Sequence, residues 1–224
     1  MARDNSPKER QKKHLERTLN RRASYDRILI VSEGSKTEPN YFSEIRSAHR
    51  LNTANVAVHP SALGTAPMQV VQYAQTLFEK GDRHKSIQPR AFEQVYAVFD
   101  RDEHDSYSTA LRLAESLDCK LKNDARQPIR FRAIASVPSF EIWLLLHFED
   151  IHAPLHRDEV LSRLRQHLPG YEKGARSAFA STQIHLDAAT RRAQALARKF
   201  TADTAPEPYT AIVELVSLLV TLGT

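Results

Sequence analysis

The chain has little cysteine and no long apolar stretch, and each shortage excludes a class of protein. Its 224 residues include one cysteine, Cys119, so no internal disulfide can form. The longest apolar run, residues 142–146, is far short of the roughly 20 residues that a membrane helix needs. The start of the chain also lacks the apolar core of a signal peptide. We therefore expect a cytoplasmic protein with no membrane partner.

Three common kinds of active site are missing as well. The histidines and the cysteine have no paired spacing typical of zinc, and Ser32, Ser35 and Cys119 have no recognisable triad context. Residues 34–37 (GSKT) superficially resemble a phosphate-binding P-loop, but the upstream glycine is absent and Lys36 follows a serine. The sequence disfavours zinc enzymes, acyl transfer and NTPases, while Lys36 remains a candidate contact for a substrate phosphate.

Positive charge is concentrated at the start of the chain, although the net charge of the whole is only +5. A basic arm suits a polyphosphate partner, and its contribution should fall with salt; the alternative is a solvated, disordered tail. Residues 1–27 carry nine basic side chains against four acidic ones. The candidate nucleic-acid contacts are Lys12, Lys13, Arg17, Arg21, Arg22 and Lys36.

Hydrophobic patterns predict four strands that alternate with helices. The strands are expected at residues 27–32, 56–60, 92–99 and 129–136, with Thr37 and Ser108 as helix caps and Gly81 closing the helix that Pro67 opens. From His156 onward the pattern is helical only. The fold class is therefore α/β, a mostly parallel four-stranded sheet flanked by helices. We divide the chain into an arm (1–26), the α/β domain (27–150) and a helical extension packed on it (151–224).

Three carboxylates follow predicted strands, where parallel sheets bind ligands. Glu33 ends the first strand, and Asp100 and Asp102 end the third on one face, because strand side chains alternate. If these strands are neighbours, the three acids make an oxygen-only site suited to Mg²⁺ or Mn²⁺ and to hydrolysis of a phosphodiester. The alternative is that Asp-x-Asp is simply a turn with helix-capping acids.

Four segments, in this order, resemble the motif set of RloB-like proteins: ILIVSEGSKTEPNYF, VFDRDEHD, SVPSFEIWLLLHFED and LPGYEKG. That family is similar to bacterial AbiLii abortive-infection proteins and contains a Toprim-like domain. The match runs from about Ile28 to the segment PEPYTAIVELV. Ser32 before the glutamate and the wording SVPSFE depart from the family's usual form, but the acidic residues are intact.

The resemblance implies a Toprim fold, with the family's glutamate on Glu33 and its Asp-x-Asp pair on Asp100 and Asp102. It also directs attention to Glu141 as a fourth metal ligand, although a glutamate in a first helical turn also favours the helix dipole with no further role. Tyr171, Lys173 and Arg176 are weaker candidates for contacting nucleic acid. A partner ATPase of the AAA or ABC type and a role in phage defence are further implications.

We thus expect a Mg²⁺-dependent endonuclease acting on DNA or RNA, tRNA included, with Glu33, Asp100, Asp102 and Lys36 as catalytic residues. Self-association into a homo-oligomer stays open. One alternative is a non-catalytic module that binds nucleic acid and docks an ATPase. Another is primase-like or topoisomerase-like chemistry, for which the helical extension leaves little room.

Overall fold

The computed structural model describes residues 25–101, 105–203 and 207–223. Within them one sheet has five strands: β1 (Ile28–Ser32), β2 (Val56–Pro60), β3 (Gln94–Asp100), β4 (Arg130–Val137) and β5 (Tyr209–Thr210). The first four strands are parallel, and β5 is antiparallel to β4. The predicted α/β class with a mostly parallel sheet is confirmed. Across the sheet the strand order is β2-β1-β3-β4-β5.

The fifth strand corrects the prediction of a four-stranded sheet and of a purely helical C-terminal region. β5 pairs Tyr209 with Val137 and Thr210 with Ser136. Two residues are too few to display an alternating pattern, so this strand leaves no periodic signal in the sequence.

Helices cover both faces of the sheet. In the described residues we find eight α-helices and one short 3₁₀ helix (Gln183–His185). The α-helices are α1 (Thr37–Ala48), α2 (Pro67–Lys80), α3 (Tyr107–Leu117), α4 (Glu141–Leu145), α5 (Arg157–His167), α6 (Ala178–Thr182), α7 (Leu186–Ala197) and α8 (Ile212–Leu222).

The predicted helix ends are partly right. Helix α2 begins at Pro67 and is closed by Gly81, as expected. Thr37 is wrong as a cap, because it is the first residue of α1 and its Oγ1 accepts a hydrogen bond from the Gly174 N–H at 2.9 Å. Ser108 is wrong too, because α3 already begins at Tyr107, whose ring packs edge-on against Phe99.

Two hydrophobic clusters lie on opposite faces of the sheet. Alternate residues of β1 contribute to the two clusters. Ile28 and Ile30 belong to one, Leu29 and Val31 to the other, and all four are fully buried. One face packs against α2 and α3. The opposite face packs against α1, α4 and the helices after residue 156, so the C-terminal region shares its core with the α/β region.

The start of the described chain is tied to the sheet. The Tyr25 hydroxyl accepts a hydrogen bond from the Asn52 N–H at 2.8 Å, and Asp26 accepts one from Gln94 at 2.7 Å. No helix among the described residues is long and apolar enough to cross a membrane.

Candidate acidic site at the carboxyl edge of the sheet

The ends of β1 and β3 bring two of the predicted site residues together. The Glu33 N–H donates to the Val98 carbonyl at 2.8 Å, and the Asp100 N–H donates to Glu33 Oε2 at 2.9 Å. Because β1 and β3 are adjacent parallel strands, their carboxyl ends meet at one edge. Glu33 and Asp100 therefore lie side by side, as the sequence predicted.

Asp100 lies in an environment that disfavours its charge. It is only 9% exposed, and burial raises the pKa of its carboxyl group well above the ordinary value. The negative charges of Glu38, Glu33 and Glu141 raise this pKa further. Asp100 thus belongs to a group of four carboxylates whose charges act on one another.

Glu38 is the member that the sequence analysis missed. It is 6% exposed in the first turn of α1, and burial, followed by the charges of Glu33 and Glu141, raises its pKa to about 7. Its Oε2 is buried and has no hydrogen-bond partner among the described residues. A buried carboxylate oxygen without a donor is costly, so its retention needs a reason beyond folding.

The turn before α1 leaves room for this carboxylate because residue 34 is glycine. A Cβ on Gly34 would lie 2.1 Å from Glu38 Oε2, well inside van der Waals contact. The sequence did contain a signal for Glu38. It shares the buried stripe of α1 with Tyr41, Phe42 and Ile45, at helical spacing, and an acid on an apolar stripe is exceptional.

Glu141 approaches the same edge from the end of β4. It is 3% exposed in the first turn of α4, and its charge raises the pKa of both Asp100 and Glu38. Its Oε2 accepts a hydrogen bond from Ser139 at 2.7 Å. On Oε1 it accepts one from the Tyr171 hydroxyl at 3.3 Å, and Lys173 Nζ lies 3.4 Å away.

Tyr171 and Lys173 reach the acids from the segment between α5 and α6. Tyr171, a weak candidate for a nucleic-acid contact, is in fact buried, and burial raises the pKa of its hydroxyl, which keeps its proton to donate. Lys173 is about half exposed at the mouth of the group. It is the cation whose charge lowers the pKa of Glu38.

The predicted cations fall into two sets. Lys36 is exposed just before α1, beside Gly174, and Arg176 is exposed on the same segment as Lys173. In the sequence, Lys36 stands two residues before Glu38 and Arg176 three residues after Lys173. The predicted arm contacts and one predicted ligand lie outside the described residues: Lys12, Lys13, Arg17, Arg21, Arg22 and Asp102.

The four acids offer the kind of ligand that hard cations prefer, but in the described residues they do not form a complete coordination site. Within the described parts of the chain, no three histidine, cysteine, aspartate or glutamate side chains are arranged to hold one metal ion. The donor set of Glu33, Glu38, Asp100 and Glu141 nevertheless fits Mg²⁺ or Mn²⁺, because it offers only carboxylate oxygens, one of them without a partner.

A family model described as RloB-like protein matches residues 28–219, which is most of the chain. The chain belongs to the RloB-like family. Neither the curated proteins nor the solved structures contain a significant match to it. The matched span includes all four acids of the RloB-like chain, together with Tyr171 and Lys173.

Proposed function

We propose that this RloB-like chain is a divalent-metal-dependent nuclease with a Toprim-type site, which hydrolyses phosphodiester bonds in DNA or RNA. The observation that carries the proposal is the meeting of four carboxylates, three of them buried, at the carboxyl edge of a parallel sheet. Lys173 Nζ lies 3.4 Å from one of these acids, Glu141, and partly offsets the negative charge of the group.

The residues expected to hold the ion are Glu33, Glu38, Asp100 and Glu141, with Asp102 added from outside the described residues. When bound, Mg²⁺ or Mn²⁺ supplies positive charge that polarises a phosphoryl oxygen and lowers the pKa of a bound water. It would also relieve the repulsion that raises the pKa of Asp100.

The remaining side chains orient the acids and the substrate. The Asp100 N–H fixes Oε2 of Glu33, and Ser139 and Tyr171 together fix the two oxygens of Glu141. We expect Lys36, Lys173 and Arg176, which are all exposed, to attract the phosphate backbone at the rim of the site. The basic arm would extend this attraction.

Cleavage assays test the nuclease proposal. Purified chain, with and without a co-expressed ATPase, is incubated with mixed DNA and RNA, tRNA included, and Mg²⁺ or Mn²⁺. The new ends are then sequenced. We expect Glu33→Gln, Asp100→Asn and Asp102→Asn to reduce cleavage by at least about 100-fold. Glu93→Gln, an acid at the opposite end of the sheet, is the control and should retain activity. Full cleavage by folded Asp100→Asn would overturn the assignment.

Family membership suggests an association with a defence system, and we propose that the chain works there with a partner ATPase of the AAA or ABC type and resembles AbiLii proteins in this role. Co-expression with the ATPase and co-purification test the partnership. A chain that protects cells from phage equally well without any ATPase would contradict it.

A second candidate is a non-catalytic module that binds nucleic acid and docks the ATPase. The observation that favours it is the absence, among the described residues, of three acidic or histidine side chains already arranged around one ion. Salt-sensitive binding with no cleavage under any metal or partner condition would support this second role.

A further inference from the structure

We propose that Tyr171 is a positioning residue, which holds the Glu141 carboxylate toward the acidic group by a hydrogen bond from its hydroxyl. The inference rests on the proposed metal site and adds to it a side chain from the helical region after residue 156. It concerns the hydroxyl alone, because the ring also has a place in the hydrophobic core.

Repulsion makes a positioning residue necessary. The Glu141 carboxylate lies close enough to Glu38 and Asp100 for its charge to raise the pKa of both, so like charges meet here. An untethered glutamate has three rotatable bonds and would turn toward water, away from its neighbours. Donors on both carboxylate oxygens oppose this turn: Ser139 on Oε2 and Tyr171 on Oε1.

The two donors differ in origin. Ser139 is only two residues from Glu141, so it moves with the turn that carries both. Tyr171 is thirty residues away and belongs to the segment between α5 and α6. Only a donor from another part of the fold can fix Glu141 relative to the other acids.

The segment around Tyr171 is itself anchored to α1. The Gly174 N–H donates to Thr37 Oγ1 at 2.9 Å, and Asn40 Nδ2 donates to the Gly174 carbonyl at 2.9 Å. Glycine is required here, because residue 174 has a φ of +82° and a Cβ would lie 2.7 Å from the Cβ of Lys36. The segment that carries Tyr171 is therefore bonded to the helical turn that carries Glu38.

Farther along the chain, another side chain of α1, Glu44, anchors the end of this segment and the start of α6. The Ser177 and Phe179 N–H groups both donate to the carboxylate of Glu44, the latter at 2.9 Å. One anchored segment thus links the helix of Glu38 to the side chain of Glu141. The anchored segment, and not the free rotation of the Glu141 side chain, therefore sets the distance between Glu38 and Glu141.

Tyr171→Phe in the full-length chain tests the role, since it removes the hydroxyl and keeps the ring. Mn²⁺ affinity is measured by electron paramagnetic resonance, and stability by urea unfolding. We expect Mn²⁺ binding to weaken about tenfold. The matched control is Tyr96→Phe, a buried tyrosine of the same hydrophobic cluster, whose hydroxyl donates to Gln94 at the amino end of β3. Its Mn²⁺ affinity should equal that of the wild type.

A second variant addresses the anchor. Gly174→Ala should move the segment off α1 and weaken Mn²⁺ binding at least as much as Tyr171→Phe, with all the acids intact. In cleavage assays, Tyr171→Phe should lower kcat more than it raises KM, because the rim cations are unchanged.

The outcomes separate this inference from the proposed function. If the wild type binds Mn²⁺ and Tyr171→Phe binds it equally well, the positioning role is overturned while the metal site stands. If the wild type binds no Mn²⁺ and cleaves nothing, both proposals fail. Weaker Mn²⁺ binding by folded Tyr171→Phe, with Tyr96→Phe unchanged, supports the role.

Discussion

Acidic side chains cluster at both ends of the sheet, but their surroundings shift their pKa values in opposite directions. At the amino end, Glu93 and Asp124 share one guanidinium: Arg27 Nη2 lies 2.9 Å from Asp124, and Arg27 donates to Glu93 from both its backbone and its side chain. Burial alone would raise the pKa of Glu93, but the hydrogen bonds and charge of Arg27 lower it overall.

At the carboxyl end, burial and mutual repulsion prevail. The pKa of Asp100 is well above its ordinary value, and that of Glu38 is about 7. Paired acids stabilise a fold, whereas crowded buried acids destabilise it. The amino-end acids serve the structure, whereas the crowding of the carboxyl-end acids is what the proposed metal site would explain.

The largest effect on stability should come from breaking the amino-end cluster. Arg27→Met leaves two carboxylates without their shared donor, and we expect a loss of about 2–3 kcal/mol in the free energy of unfolding, measured in urea. The control is Arg132→Met, because Arg132 and Glu214 are both about half exposed and 3.5 Å apart. This variant should change stability by less than about 0.5 kcal/mol. Equal effects in the two variants would contradict the comparison.

The acids at the two ends of the sheet should make the free energy of unfolding change with pH in opposite directions. Glu93 has a lowered folded pKa, so its stabilisation is complete above its ordinary value of 4.5 and is lost as the pH falls through the folded value. Glu38 has a raised folded pKa, so without divalent ions its destabilisation is complete above pH 7 and disappears as the pH falls toward 4.5. The change for Glu38 is on the order of 2 kcal/mol.

Unfolding in EDTA at several pH values measures these responses. Burial lowers the pKa of His147 to about 4, which gives a destabilisation at falling pH in the same window. The quantity to compare is therefore the difference between the wild type and Glu38→Gln, in which the His147 contribution cancels. This difference contains the Glu38 carboxylate and the effect of its charge on Asp100. A constant difference between pH 8 and pH 5 would contradict the assigned environment of Glu38.

Divalent ions should stabilise the folded chain only by binding to the acids at the carboxyl end of the sheet. At a free concentration of about ten times Kd, Mn²⁺ should raise the free energy of unfolding by about 1.4 kcal/mol. Asp100→Asn should abolish this increase, and Glu93→Gln should keep it. Stabilisation of both variants by Mn²⁺ would place the binding site elsewhere.

The sequence was sufficient for the part of the site that depends on strand ends. Glu33 and Asp100 follow apolar runs, and parallel strands bring such residues together at one edge. Glu38 was not predicted, because it follows no strand; its signal is a charged residue on the stripe of α1 that the fold buries.

The contacts of Glu141 could not be predicted from local patterns. Tyr171 and Lys173 reach it only after the chain has passed through α5, and the bend that aims them depends on Gly174 packing against Lys36. Likewise β5 depends on its partner β4, because two residues carry no periodicity of their own. These features arise from tertiary packing.

The smallest effect in the comparison should come from the ammonium group at the carboxyl end. Lys173 Nζ lies 3.4 Å from Glu141 Oε1, so it competes with a divalent ion for the same negative charge. Lys173→Met should therefore tighten Mn²⁺ binding roughly threefold at physiological salt while reducing cleavage, because the rim loses a cation that attracts phosphate. Lys122→Met, an exposed lysine outside the acidic site, is the control and should change neither quantity. Weaker Mn²⁺ binding by Lys173→Met would mean that the lysine organises the acids instead of competing for them, as Arg27 does at the amino end.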